Sequence, residues 1–394
     1  MQGSYSHIVV GAGALGTAAA YWLAEQGAER VLVLEQYELG HTRGASEDHS
    51  RIIRHAYHSP VYTALTHAMY ETWSQIEERT GLELVLKTGG LDLAIVDTEG
   101  HEELKNYKRS LAPVGVESED LTADDIRRRY PQWQIEDNVV GMYQEDGGIL
   151  DIRRAGAAHI ALARGLGVTF SPNTTVTDIA SSDSGVTVTT DRGVFTADSV
   201  VLCVASWLPQ FLPKLGLNWN ITLCQEQVSY FATPNVRDFA PDRFPMWIWH
   251  GTPDPLFYGF PVYGEVAVKA ARDMSGRFVT QETRSFTPVP EETALIAEFL
   301  ARRLPGAVGP ELYSKTCVYD MPADRDFIID RMPGHPRITV GIGAGHAAKF
   351  ASLFGKILAE LTLEGRTAHP IDAFRADRPA LTDPDFVPTF RMTG

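Results

Sequence analysis

Apolar residues form short unbroken runs near both ends of the chain, helical spacings next to them, and alternating patterns through the middle third. His7-Ile8-Val9-Val10 reads as a buried strand, and a glycine-rich turn follows it at once. Ala14 to Gln26 is rich in strong helix formers, with Gly27 placed as a C-cap. Arg30 to Leu34 reads as a second buried strand, so the chain opens with a strand–helix–strand unit. Gln36 to Ser50 is polar and glycine-containing, hence loop. Leu65, Met69, Trp73 and Ile76 recur at helical spacing and predict an amphipathic helix over Tyr62 to Arg79.

Further along, Leu91 to Val96 is strand-like, and Glu102 to Leu111 and Thr122 to Arg129 read as surface helices. Asp151 caps a helix running through Ala163, and short strands follow between Val168 and Cys203. Alternation in Gln227 to Phe231, Phe257 to Phe260 and Val266 to Ala270 predicts an antiparallel sheet. Thr287 to Arg303 carries Pro288 and Pro290 near its start and continues as helix. Ile338 to Gly341 leads into a second glycine turn and a helix over His346 to Leu363. The pattern implies an α/β chain with two interleaved domains. A Rossmann-type domain would take 1–85, 145–215 and 320–394, and an antiparallel-sheet substrate domain 86–144 and 216–319.

A length of 394 residues agrees with two domains. The formal net charge of −15 argues against nucleic acid or an anionic membrane surface as partner, and mildly favours cationic substrates. Three cysteines (Cys203, Cys224 and Cys317) are too few and scattered for a disulfide framework or a zinc site, which points to a reducing compartment. No HExxH pattern or cysteine–histidine spacing suggests a metal, and no G-x-S-x-G elbow suggests a serine nucleophile. With no apolar run of the roughly 18–20 residues a membrane helix needs, and no signal-peptide layout, the expected location is the cytoplasm. Asn173-Thr174-Thr175 and Asn220-Ile221-Thr222 match the glycosylation acceptor pattern, which has no consequence there.

Gly11-Ala12-Gly13-Ala14-Leu15-Gly16 lies between a strand and a helix, with Glu35 at the end of the next strand. Gly11 makes the tight turn, Gly13 admits a pyrophosphate to the backbone, and Gly16 lets helix and strand pack closely. The helix N-terminus offers N–H donors to phosphates, and Glu35 stands where a carboxylate accepts the ribose hydroxyls. The motif predicts a dinucleotide; by itself it does not choose between NAD and FAD.

Four further segments narrow the choice. Ser50-Arg51-Ile52-Ile53-Arg54-His55-Ala56-Tyr57, Tyr258-Gly259-Phe260-Pro261, Cys317-Val318-Tyr319 and Gly343-Ala344-Gly345-His346-Ala347-Ala348-Lys349-Phe350 resemble the monomeric sarcosine oxidase family, which includes N-methyltryptophan oxidase. The likeness runs in order along nearly the whole chain. It implies an FAD enzyme that oxidises a secondary amine or N-methyl amino acid with oxygen, giving an imine and hydrogen peroxide. The family name further implies a monomer. From the residues alone Cys317 is a buried structural thiol on a strand; the resemblance implies that it carries the flavin covalently. The resemblance likewise implies that Arg54 and Lys349 hold a substrate carboxylate, a sensible pairing of a forked guanidinium with an ammonium. Arg51 would sit over the flavin ring, and Lys269, eleven positions after Tyr258, would activate oxygen through its charge. Tyr258 and Tyr319 would line the amine pocket, Gly345 and His346 would face the pyrimidine of the flavin, and Ser50 and Val176 would complete the cofactor contacts.

Two departures bear on the substrate. Where sarcosine-specific relatives place a histidine four residues after the oxygen-activating lysine, this chain has Asp273, an acid able to pair with a cationic amine or to exclude a second carboxylate. Trp247-Ile248-Trp249 is more aromatic than a pocket shaped around sarcosine requires, although core packing accounts for two tryptophans equally well. A dehydrogenase using another electron acceptor and a non-catalytic flavin-binding protein remain as alternatives.

Overall fold

The computed structural model describes residues 2–46 and 48–389. Met1, Glu47 of the expected loop and residues 390–394 of the expected 320–394 segment lie outside the described residues. The N-terminal apolar runs enter an eight-stranded sheet that is buried on both faces, which is why they read as unbroken rather than alternating. Gln2–Val10 lies at its centre, parallel to Gly193–Leu202 on one side and Val31–Leu34 on the other. Thr169–Ser171 and His335–Ile342 add further parallel strands. Val9, Val33 and Val201 face the helices Ala14–Glu25, Ile152–Gly165 and Ala351–Leu363. Ile8, Val10, Leu32, Leu34, Val200 and Leu202 pack on the opposite side.

The helix expected over Tyr62 to Arg79 is split into Pro60–Thr63 and Thr66–Thr80. Thr63 and Thr66 turn their hydroxyls back to backbone carbonyls at the break, donating to Ser110 O and Thr63 O at 2.8 Å each. The C-terminal helix also starts later than its sequence pattern indicates. Ala344 and Gly345 adopt left-handed φ values of 48° and 81°, so a 3-10 turn over Ala348–Phe350 precedes the α-helix Ala351–Leu363.

The expected antiparallel strands form part of a nine-stranded sheet as Ile221–Phe231, Phe257–Phe260 and Val268–Arg272. Glu311–Pro322 runs antiparallel along Ile221–Phe231, from Ile221 opposite Pro322 to Phe231 opposite Glu311. Met246–Trp249 joins this sheet between Phe257–Phe260 and Gly90–Ile95. Strand alternation answers the question raised by its aromatics. Trp247 and Trp249 point into a core with Trp133, Phe257 and Phe299, so they are packing residues, while Ile248 lines the central cavity. A small third sheet holds Arg51–Ile53, Val85–Lys87 and Gly148–Leu150 together. Among the described residues no helix is long and apolar enough to cross a membrane.

Candidate active site

The glycine turn is sterically committed. Gly11 has φ +96°, and a Cβ on it would stand 2.3 Å from the Cys203 carbonyl oxygen. A Cβ on Gly16 would stand 1.9 Å from the Gly11 carbonyl oxygen. Gly13 is the N-cap and brings no side chain of its own to the helix end. Ser46 takes the Ala14 N–H at 2.9 Å. Glu35 is buried and accepts from the Ala12 and Tyr37 amides at 2.8 and 2.9 Å. Burial opposes its ionisation, but the His41 hydrogen bond and these amides outweigh it and hold the carboxyl below its usual value. A cleft of about 100 Å³ lined by Gly11, Glu35 and Val176 shares Gly13, Ala45, Ser46, Cys203 and Ala205 with a cavity of about 380 Å³. The two adjoin at the helix start, with the acidic Glu35 on one side and the larger cavity on the other. This donor set fits a dinucleotide.

The larger cavity gathers most of the residues singled out by the sequence. Arg51, Arg54, Tyr258, Lys269, Asp273, Cys317, Tyr319, Gly345, His346 and Lys349 all line it. Ser50 stands just behind, its carbonyl accepting from Lys269 Nζ at 2.7 Å. Lys269 is buried against Asp48, with Nζ 2.6 Å from Oδ2. Asp48 also meets Arg51 Nη1 at 3.1 Å and accepts from the Tyr230 hydroxyl. Burial lowers the lysine and Asp48 raises it; the balance is about 8. Despite its own burial, Asp48 is held well below the usual carboxylate range by Lys269 and Arg51.

At the far end Arg54 is buried and already paired. Its Nη1 donates to Asp92 at 2.6 Å, and its Nη2 to the Tyr107 hydroxyl at 3.1 Å. Asp92 also meets His250 Nε2 at 2.8 Å. The Nε of Arg54 is buried without a protein partner. Lys349 sits in the 3-10 turn rather than in the helix, where its charge would oppose the dipole. Its Nζ donates to the Tyr57 hydroxyl at 2.8 Å and to His346 O at 3.0 Å, and the Trp73 indole pins its carbonyl at 2.6 Å.

Asp273 lines the cavity and is paired within the protein. Both of its oxygens accept from Arg325 Nη2, at 3.0 and 2.9 Å, so its charge is taken by the protein rather than left for an amine. Tyr258 and Tyr319 are pushed above the usual phenol range, chiefly by burial. Cys317 is raised to about 12 by burial, which keeps it a thiol at neutral pH. A Cβ on Gly345 would stand 2.4 Å from the Tyr319 ring, so the close approach of turn and ring requires glycine there.

Asp48, Asp92, Ser46 and Arg325 escaped the sequence reading. Asp92 alone carried a signal, as the one charge inside the apolar run Leu91 to Val96.

The family model of FAD dependent oxidoreductases matches residues 6–361. The chain is 34% identical over 381 residues to monomeric sarcosine oxidase of Streptomyces avermitilis, covering 95% of this chain and 97% of that one. It is 28% identical over 378 residues to N-methyl-L-tryptophan oxidase of Salmonella typhimurium, covering 95% and 99%. Among solved structures, NikD, an unusual amino acid oxidase essential for nikkomycin biosynthesis, superposes in its open form with a TM-score of 0.83 at 29% identity, over 94% of this chain and 97% of that one. The committed glycine turn, the buried Glu35 and the match over nearly the whole length converge: this chain belongs to the family of FAD dependent oxidoreductases.

Proposed function

We propose that this protein is an FAD-dependent oxidase of a secondary amine bearing a carboxylate, with N-methyl amino acids as the leading class. The observation that carries this is the interior cavity, in which two buried basic side chains, Arg54 and Lys349, meet around Tyr57, while Lys269 and Arg51 meet around Asp48. Bound FAD would supply two-electron redox chemistry at the carbon next to nitrogen, with oxygen as the final electron acceptor. The Arg54 guanidinium and the Lys349 ammonium, both lining the cavity, offer donors to a carboxylate and so fix the carbon to be oxidised. Tyr258 and Tyr319 wall the amine pocket. Lys269, charged below about pH 8, stabilises negative charge developing on oxygen. The imine product leaves and hydrolyses to an aldehyde and a smaller amine. Gly11, Gly13, Gly16, Glu35, Ser50, Val176, Gly345 and His346 would hold the cofactor, and Cys317 would be the residue that carries its covalent link. The eight-stranded sheet then serves FAD and the nine-stranded sheet the substrate, in a cytoplasmic monomer.

Aerobic peroxide release and anaerobic bleaching of the yellow colour, tested over N-methyl amino acids, cyclic imino acids and D-amino acids, check the activity. A panel that bleaches nothing would leave only a flavin-binding protein. The covalent link has its own test. Acid-precipitated wild type should give a yellow pellet and Cys317→Ser a colourless one; equal colour in both would remove the assignment. Gly16→Ala should lower the flavin-to-protein absorbance ratio by about tenfold, because the added methyl has no room against the turn.

A further inference from the structure

Arg54 and Lys349 are not equivalent cations. Arg54 has its own carboxylate in Asp92, itself supported by His250, and a phenol in Tyr107. Arg325 has its own carboxylate in Asp273. Among the described residues Lys349 meets only neutral oxygens, the Tyr57 hydroxyl and the His346 carbonyl, although its side chain is buried. The groups facing it are Arg54, Tyr57, Asp273, Arg325 and His346, and the carboxylates of Asp273 and of Asp92 behind Arg54 are already engaged by guanidinium groups. A buried ammonium without a counterion, between two guanidinium groups, is strongly disfavoured. The hydrogen bonds are satisfied by a neutral amine. A neutral Nζ donates to the Tyr57 hydroxyl, which lies 3.4 Å from His346 Nδ1, while His346 Nε2 lies 3.0 Å from Arg325 O. Burial first, and then Arg54, push Lys349 well below the usual lysine range, in the same direction as this geometry.

We propose that Lys349 is uncharged in the substrate-free protein and accepts the proton that a zwitterionic amino acid must lose before it can be oxidised. This rests on the carboxylate site of the proposed function. An amino acid arrives from neutral solution with its nitrogen protonated and no lone pair to support hydride loss. Its carboxylate, set between Arg54 and Lys349, supplies the missing counterion and makes the ammonium form of Lys349 the stable one. One substrate N–H bond breaks and one N–H bond forms on Nζ, directly or through the substrate carboxylate. The electron pair stays on the substrate nitrogen, nothing is oxidised or reduced, and no proton is exchanged with solvent. Lys349 is thereby a catalytic residue as well as an anchor.

Calorimetry on the FAD-loaded protein at pH 8, in two buffers of different ionisation enthalpy, counts the protons exchanged. Propionate, which has a carboxylate and no amine, should take up about one proton per site, with its Kd rising about tenfold per pH unit. 2-Aminoisobutyrate, a zwitterion with neither an α-hydrogen nor an N-methyl group to oxidise, should bind with no net exchange. In Lys349→Arg, whose cation is permanent, propionate should take up no proton and 2-aminoisobutyrate should release about one. Lys349→Met should also abolish uptake with propionate. Propionate binding to wild type without proton uptake would overturn the proposal, as would uptake that persists in either variant. If neither ligand binds wild type, the carboxylate site itself fails, and this inference with it.

Discussion

Lys269→Met is expected to slow the reaction of the amine-reduced protein with oxygen by about 10²- to 10³-fold, while anaerobic bleaching by the amine stays within a few-fold of wild type. The two half-reactions separate because Lys269 lies on the Asp48 and Arg51 side of the cavity, whereas the carboxylate anchors are Arg54 and Lys349. Oxygen gains negative charge before any proton reaches it, and a fixed ammonium in a buried site stabilises that charge without having to reorganise. The lysine is charged below about pH 8, so oxygen reactivity should be highest there and decline as pH rises through that value. In Lys269→Met this pH step should vanish along with most of the rate. Stopped-flow mixing of anaerobically reduced protein with oxygenated buffer measures both. An unchanged oxygen rate would move the reading to a dehydrogenase with another acceptor.

Arg54→Ala should raise the KM for carboxylate-bearing amines by about 100-fold and leave neutral amines almost unaffected. The same change strands Asp92 in the interior with only His250 beside it, so the protein should also lose about 3 kcal/mol of stability. Kinetics on paired substrates, an N-methyl amino acid and its amino alcohol, isolate the first effect, and denaturant unfolding measures the second. Equal loss on both substrates would mean that Arg54 is only a structural ion pair. Arg54→Lys should recover part of the stability but little of the KM, because an ammonium cannot reach Asp92, Tyr107 and a carboxylate with the same fork.

The strand–turn–helix opening, the acidic Glu35 and the alternating strands were legible because each is governed by residues close together in sequence. What escaped was set by long-range pairing. The segment containing Arg54 gives no sign that Asp92 neutralises it. Asp273 looked available to substrate because Arg325, which takes its charge, comes after the long strand Glu311–Pro322. Asp48 sits in a polar loop where one acid among several attracts no notice, yet it fixes the ionisation of Lys269. The tryptophans were ambiguous for a different reason. Alternation sends neighbours on a strand to opposite faces, and which face meets the cavity depends on the neighbouring strands.

The order in which the eight-stranded sheet is threaded governs when the protein can first mature. The glycine turn is translated long before the strand Gly193–Leu202, which must emerge before it can pair with Gln2–Val10. The helix Ala351–Leu363, which packs Gly355 against Ala18 behind the turn, is made later still. A nascent chain therefore carries the cofactor signature long before it has a cofactor site. Chains ending before Ala351 should emerge colourless and prone to aggregation, and yellow colour during synthesis should mark only chains that include the helix Ala351–Leu363.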